Sequence, residues 1–152
     1  MDNHEKFLNH LDGSRASVAR VAGFFCRRGY SVSMPPESRA ESHGDWRNHA
    51  DGGDLFVHQR IEVKSLSAVF SCAEDWPFGD KFIVCAAHSF DAAMPKPYAY
   101  FMLSGDGAGA AYVMSANSRR WTRERRRDSR YVGVDQEFYF SPMGDVSFIS
   151  ID

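Results

Sequence analysis

The segment from Asp54 to Lys64 places the strongest constraint on the fold of this chain. It reads Asp-Leu-Phe-Val-His-Gln-Arg-Ile-Glu-Val-Lys. Charged and apolar residues alternate in its second half, which is the pattern of a half-buried strand. Successive side chains of a strand point to opposite faces, so Glu62 and Lys64 should share one face while Ile61 and Val63 point into the core. The segment therefore predicts two short strands joined by a tight polar link.

The length of the link decides which side chains meet. A link of two residues would mix apolar and charged side chains on one face of the pair. A link of three residues, His58 to Arg60, keeps the apolar side chains of both strands together. It also places Asp54 opposite Lys64 and diagonally next to Glu62. The sequence therefore predicts a hairpin that gathers these three charged side chains.

The predicted cluster suits phosphate chemistry. Two carboxylates can hold a hard divalent cation, and a neighbouring ammonium can contact a phosphate oxygen or an attacking water. The alternative interpretation is an edge hairpin whose outer face is charged for solubility.

At these residues the chain resembles the PD-(D/E)xK nuclease superfamily, which has the restriction-endonuclease-like fold. Asp54 matches the first position of the signature, Glu62 the second and Lys64 the third. Gly53 stands where the leading proline of the signature would be.

A second resemblance is to small phage- or prophage-type members of that superfamily. In those proteins a Glu-Val-Lys is followed by a phenylalanine and then by an Asp-aromatic-Pro-aromatic stretch. The matching residues here are Phe70 and 75–78, Asp-Trp-Pro-Phe.

The resemblance implies a fold of the α/β (α+β mixed sheet) class. The expected core is helix, three strands, helix and strand, with additional C-terminal strands. We expect a single nuclease-like domain over residues 1–152, with a long polar loop at 35–53 that overhangs the site.

The resemblance also implies a metal-dependent endonuclease that hydrolyses phosphodiester bonds, with DNA as the expected substrate. Asp54, Glu62 and the Val63 carbonyl would hold Mg²⁺ or Mn²⁺. Lys64 would orient or help to deprotonate the attacking water, or stabilise the developing negative charge. Many members add a glutamate on the first core helix, but no acidic residue lies between Ser14 and Arg28. The alternative is therefore a catalytically inactive nuclease-fold module that binds nucleic acid or a protein partner.

A run rich in arginine follows near residue 120. Seven of the 18 basic residues lie between Arg119 and Arg130, although the net charge of the whole chain is only −2. The planar guanidinium suits phosphate, and an embedded tryptophan could stack on a base. The alternative is a solvated surface segment. The predicted nucleic-acid-binding residues are Arg119, Arg120, Trp121, Arg123, Arg125, Arg126, Arg127 and Arg130.

Composition sets the remaining limits. A chain of 152 residues with 43% hydrophobic content is long enough for a packed core. No apolar run approaches the ~20 residues of a membrane helix, and the polar N-terminus does not resemble a signal peptide. The three cysteines lack the spacing of a disulfide framework or metal site. We therefore expect a cytoplasmic protein, in a bacterial host if it is phage-encoded, with no membrane partner; a homodimer stays open.

Local patterns predict the remaining elements. The predicted helices run to Leu11, with Gly13 as a terminator, and from Ser14 to Arg28. A helix or turn should carry the arginine run. The predicted strands are 30–34, a buried central strand at 81–86, a hairpin of 98–103 with 110–114, two short strands at 131–134 and 137–140, and 147–149.

Overall fold

In the computed structural model, which describes residues 3–36, 41–49, 53–128 and 131–151, the chain divides into two units. The first unit is Met1–Gln59 and the second is Arg60–Asp152. Within the described residues, no helix combines the length and the apolar character needed to cross a membrane.

The first unit begins with one continuous helix, α1 (Asn3–Cys26). The prediction of two helices separated at Gly13 is wrong. A glycine ends a helix when it adopts a positive φ, as Gly29 does at 82°, and Gly13 is not among the positive-φ glycines. An interior glycine only weakens a helix, by about 1 kcal/mol relative to alanine.

Two short strands complete the first unit. Strand β1 (Val32–Ser33) and strand β2 (Phe56–Val57) pair antiparallel, with Val32 opposite Val57. Between them, a 3-10 helix (His43–His49) occupies part of the predicted polar loop. The loop residues 37–40 and 50–52 lie outside the described part of the chain.

The second unit contains a four-stranded sheet in the order β3-β5-β6-β9. Its strands are β3 (Ile61–Ser65), β5 (Ala99–Leu103), β6 (Gly109–Met114) and β9 (Ser147–Ser150). Strand β3 runs parallel to β5, and the other neighbours are antiparallel. The predicted hairpin of the Tyr98 and Ala110 segments is therefore confirmed, as is the closing strand.

A three-stranded antiparallel sheet, in the order β4-β8-β7, forms the rest of the second unit's strand structure. Its strands are β4 (Lys81–Ala86), β7 (Thr122–Arg127) and β8 (Asp135–Pro142), and the short helix α2 (Ala87–Ala92) follows β4 directly. Strand β4 is largely buried, as predicted, but it lies at an edge of its sheet.

Two predictions about the strands β7 and β8 of this sheet are wrong. The arginine run lies mainly on strand β7 rather than on a helix, although the 3-10 helix Ser115–Arg120 precedes it. Residues 137–140 belong to the longer strand β8, whereas 131–133 form a turn.

The predicted hairpin between the Asp54 and Lys64 segments does not form. Strand β2 pairs with β1, and β3 pairs with β5 in a different sheet. The link between them is held at both ends: the His58 N–H donates to the Ser31 carbonyl at 2.9 Å, and the Tyr98 N–H donates to the Arg60 carbonyl at 2.7 Å. An alternating pattern shows which residues share a face, but it does not specify the partner strand, and this explains the error.

The aromatic core of the second unit accounts for the Asp-Trp-Pro-Phe stretch. Trp76 is buried and stacks on Phe82, with ring centroids 5.3 Å apart, and it meets Phe70 edge to face at 4.9 Å. Asp75 holds the preceding turn, because its carboxylate accepts hydrogen bonds from the N–H groups of Ser71 and Cys72, each 2.9 Å from Oδ1. The stretch therefore has a structural role in this fold.

Taken together, helices are few and strands are spread over several sheets. The general α+β class expected from the sequence is confirmed.

The Asp75 carboxylate makes stability sensitive to acid. The backbone N–H of Cys72, then that of Ser71, lowers the pKa of Asp75 to about 2. Because this value lies below the ~3.9 of an unfolded aspartate, the stabilisation is present above about pH 4 and is lost as the pH falls toward the folded pKa. Asp75→Asn should therefore unfold at lower urea concentration than the parent protein at neutral pH, with the difference shrinking in acid. A constant difference across this range would contradict the assignment.

Candidate functional site

The second unit contains a pocket of about 790 Å³ lined by side chains from both of its sheets. Four of the residues predicted from the sequence line it: Glu62, Lys64, Arg126 and Arg127. The pocket thus brings the Glu-Val-Lys strand together with the end of the arginine run.

Strand β3 presents Glu62 and Lys64 to the pocket, as the alternating pattern predicts. The prediction that Ile61 and Val63 point into the core is wrong, because these side chains are 49% and 64% exposed. Strand β3 lies at the edge of its sheet, and the buried side of that edge is the one that carries Glu62.

The side chain of Glu62 is held by Arg60, the residue that precedes strand β3. The Arg60 Nε donates to Glu62 Oε1 at 2.7 Å, and Arg60 Nη2 lies 2.5 Å from the same oxygen. Arg60 also lines the pocket, and its side chain is half exposed. The glutamate therefore has a fixed orientation and a cationic neighbour.

Lys64 connects the two sheets of the second unit. Its ammonium donates to the Val84 carbonyl of β4 at 3.0 Å. An ammonium has three donors. This bond fixes the position of Lys64 at the pocket wall.

Two buried groups of the pocket are uncharged. Tyr100 and Cys85 are buried lining residues, and burial raises the pKa of both the phenol and the thiol. Both groups are therefore protonated at neutral pH. The charged lining residues are Arg60, Glu62, Lys64, Arg126, Arg127 and the buried Asp128.

The arginines at the pocket are exposed and paired with carboxylates. Arg126 Nη2 lies 2.6 Å from Glu124 Oε2, and Arg127 Nε lies 2.8 Å from Asp135 Oδ1. The pKa of Glu124 is lowered, first by its hydrogen bond from Lys81 and then by Arg126. Exposed pairs of this kind contribute only ~0–1 kcal/mol, so a phosphate can displace them at little cost.

The rest of the arginine run lies elsewhere. Arg123 is bound to Glu137 at 2.6 Å, and Arg120 is bound to Asp145 at 2.5 Å. Arg119 and Arg125 are exposed and do not line the pocket. Arg130 lies outside the described residues.

Trp121 is a core residue rather than a stacking platform. It is buried and packs edge to face on Phe90 with ring centroids 5.1 Å apart, and Tyr100 and Tyr139 surround it at 6.1 Å. The predicted role in base stacking is therefore not available to this side chain. Trp121 lies between the 3-10 helix Ser115–Arg120 and strand β7, and its side chain enters the core at this junction.

Asp54, the first residue of the predicted signature, belongs to the first unit and is exposed. Its part in a site with Glu62 and Lys64 stays a prediction. Across the described residues, no three or more histidine, cysteine, aspartate or glutamate side chains are grouped so that they could hold a metal ion.

The pocket also contains residues that the sequence patterns do not single out. They are Arg60, Asp128, Tyr131 and Gln136, whereas Phe78, which also lines the pocket, belongs to the Asp-Trp-Pro-Phe stretch. Asp128 is buried and accepts a hydrogen bond from the Gln136 side chain. The only sequence signal for Asp128 is an acidic residue inside the arginine run. The others depend on long-range pairing of strands and have no local signature.

The chain matches no protein-family model, no curated protein and no solved structure. The site is therefore interpreted from its own geometry.

The burial of Trp121 yields a prediction about stability. Trp121→Ala should lower the free energy of unfolding by about 3–5 kcal/mol, as expected for loss of a buried aromatic side chain. Trp121→Phe, which keeps a ring in the core, should cost distinctly less. Urea unfolding curves measure both. A Trp121→Ala protein with unchanged stability but weaker nucleic-acid binding would restore the stacking role.

Proposed function

We propose that this protein is a metal-dependent nuclease of the PD-(D/E)xK superfamily that acts on DNA through the pocket of its second unit. The supporting observation is that Glu62 and Lys64, from one strand, share this pocket with Arg126 and Arg127, from a distant strand. Hydrolysis of a phosphodiester needs a catalytic pair of side chains and, beside it, cationic side chains that bind the phosphate. We call these cationic side chains the phosphate grip.

The phosphate grip comes from the two arginines and the lysine. A guanidinium forms paired hydrogen bonds with phosphate oxygens, whereas an ammonium acts as a compact charge. The Arg126 guanidinium also lies 5.6 Å from the centre of the Phe140 ring, which helps to hold it at the pocket. A DNA phosphate would replace the weak carboxylate partners of Arg126 and Arg127.

The catalytic part is assigned to β3. Lys64 is placed to orient a water or to stabilise negative charge on the phosphate, while its bond to Val84 fixes its position. Glu62 is the nearest carboxylate along the strand, and its bond to Arg60 would have to loosen for it to act as a base or ligand.

Strand β3 offers the types of oxygen ligand that Mg²⁺ prefers, a carboxylate and a backbone carbonyl. Mg²⁺ binds proteins through one or two carboxylates and keeps several waters, so Glu62 and a carbonyl suffice as a start. The Leu66 N–H donates to the Leu103 carbonyl of β5 at 3.0 Å. Because backbone groups alternate in direction along a strand, the N–H and C=O groups of the even-numbered residues of β3 face β5. The carbonyl of Val63 therefore faces the open edge of the sheet. Glu62 and the Val63 carbonyl would hold the ion, with Asp54 proposed as the further ligand. When bound, such an ion polarises the phosphate and lowers the pKa of a coordinated water.

The elements occur in nearly the order of the proposed fold, although β1 and β2 pair in a sheet separate from that of β3. A helix, three strands, a further helix and a strand occur in sequence as α1, β1 to β3, α2 and β5, with β4 inserted before α2. The phage-type assignment and cytoplasmic location extend the same proposal. A homodimer would suit cleavage of both strands.

A second candidate function is an inactive nuclease-fold module that binds nucleic acid. The observation that favours it is the double contact of Arg60 with Glu62 Oε1, which occupies an oxygen that a cation would need. The two candidates share the phosphate grip and differ only in cleavage.

Cleavage assays separate these candidates. With Mg²⁺, the parent protein should cut plasmid or branched DNA, and Lys64→Ala or Glu62→Gln should lower the rate by about 100-fold or more. Glu62→Gln keeps an oxygen for Arg60, so folding should be preserved.

Glu137→Gln is the matched control for this assay. Glu137 forms the same kind of arginine pair, with Arg123, away from the pocket. The cleavage activity of the Glu137→Gln variant should stay at the level of the parent protein. Binding without cleavage by the parent protein, on every DNA form and with both Mg²⁺ and Mn²⁺, would select the inactive module.

The phosphate grip predicts a specific change in salt dependence. Arg126→Ala/Arg127→Ala should weaken binding to all DNA sequences and flatten the plot of log affinity against log salt by up to about two units. Arg119→Ala/Arg125→Ala removes the same charge outside the pocket and should change the slope little. Equal slopes for the two double variants would contradict binding in the pocket.

A further inference from the structure

We infer that strand β3 pairs antiparallel with β3 of a second copy of this chain, about a two-fold axis at Val63. The pairing places the partner's Lys64 opposite Glu62, which lines the pocket. This inference rests on the proposed function in one respect, since it names the surface of the homodimer that would suit cleavage of both DNA strands.

Strand β3 has one open edge. In the described part of the chain it pairs with β5 alone, at the end of the sheet order β3-β5-β6-β9. The Leu66 N–H and the Arg60 carbonyl both form hydrogen bonds on the β5 side. Because backbone groups alternate in direction, those of Ile61, Val63 and Ser65 point away from β5. Within the described residues this leaves a row of backbone donors and acceptors open, which is a template for another strand.

The side chains of this edge do not protect it. Proteins usually guard an exposed edge with lysine, proline or a β-bulge. Ile61 and Val63 are instead exposed apolar residues, and the register of β3 with β5 runs without a shift over all five residues of the strand. A regular edge with exposed apolar side chains favours burial against a second strand.

Charge complementarity selects the register of the pairing. In a two-fold pair of identical strands, the axis decides which residues are opposite each other. An axis at Val63 overlaps all five residues of β3 and sets Glu62 opposite the partner's Lys64. An axis at Glu62 or at Lys64 would set like charges opposite each other, which destabilises a strand pair. Axes at Ile61 or Ser65 overlap the strands at a single residue, and an axis between two residues mismatches the backbone groups.

The chosen register also suits the side chains. Glu62 and the partner's Lys64 form a non-hydrogen-bonded pair, in which Cα atoms lie about 4.5 Å apart and side chains are closest. Lys64 can keep its bond to the Val84 carbonyl, because opposite charges attract across this distance without a new contact. The pocket wall then gains a cation near its two carboxylates, Glu62 and the buried Asp128.

The backbone of Val63 takes part in the pairing. Its N–H and carbonyl exchange hydrogen bonds with the partner's Val63, and the two exposed valine side chains meet at the axis. The proposed function offers the same carbonyl to Mg²⁺. A backbone carbonyl oxygen has two lone pairs, so it can accept the hydrogen bond and still face an ion.

The test is the molar mass in solution, measured by light scattering or sedimentation over a dilution series without DNA or metal. The parent protein should be a dimer of two 17.1 kDa chains. Glu62→Lys and Lys64→Glu each set like charges opposite each other. Each should raise the dissociation constant of the dimer by about tenfold or more. The double reversal Glu62→Lys/Lys64→Glu restores opposite charges and should restore the dimer.

Two further variants keep the test decisive. Val63→Pro removes an N–H that faces the open edge, where a strand tolerates proline, so this variant should be a folded monomer by circular dichroism. It decides the matter if a charge reversal fails to fold. Asp80→Lys is the matched control, because it changes the charge as Glu62→Lys does at an exposed residue outside β3 and outside the pocket lining. It should stay dimeric.

Other results overturn the inference and are distinguishable from failure of the proposed function. A parent protein that stays monomeric removes the second copy from this edge but leaves the pocket and the proposed nuclease to the cleavage assay. A dimer that persists in Val63→Pro and in both single reversals has its interface elsewhere. A double reversal that stays monomeric contradicts the register. Absence of cleavage by a dimeric parent protein removes the proposed function alone.

Discussion

The parallel pairing of β3 with β5 determines the geometry of the candidate site. The register sets Glu62 beside Tyr100 and Lys64 beside Met102, both of which are buried. Because side chains alternate along a strand, this register turns both charged residues toward the pocket. A shift by one residue would present Ile61 and Val63 instead.

Two kinds of electrostatic contact then shape the pocket. The Lys64 bond to the Val84 carbonyl ties the four-stranded sheet to β4 and is part-buried. The arginine–carboxylate pairs around it are exposed and weak. The first contact fixes the site, and the second kind can be exchanged for a phosphate. Under the proposed function, exchange of this sort would let a protein with a net charge of −2 bind an anionic polymer locally.

Sequence reasoning succeeded where the information was local. Strand β4, the β5–β6 hairpin and the shared face of Glu62 and Lys64 follow from short apolar or alternating patterns. It failed where the answer depended on distant partners. Nothing near Ile61 shows that β3 pairs with β5, and nothing near Trp121 shows that this side chain enters the core.

The arginine run illustrates the same limit in electrostatic terms. In the sequence, the only acidic residues within it are Glu124 and Asp128. Pairing with β8 brings Asp135 and Glu137 alongside, and they neutralise arginines that look unopposed in the sequence. The composition of a segment therefore overstates its free charge when the segment becomes a strand of a mixed-charge sheet. The proposed function therefore uses only Arg126 and Arg127, the two arginines of the run that line the pocket.

The most direct test of the central claim is a crystal structure of the protein with a short phosphorothioate oligonucleotide that resists cleavage. We expect a backbone phosphate in the pocket of the second unit, about 2.7–2.9 Å from nitrogens of Arg126, Arg127 or Lys64, as in charge-assisted hydrogen bonds. An oligonucleotide bound along Arg119 and Arg125, with no phosphate in the pocket, would contradict it.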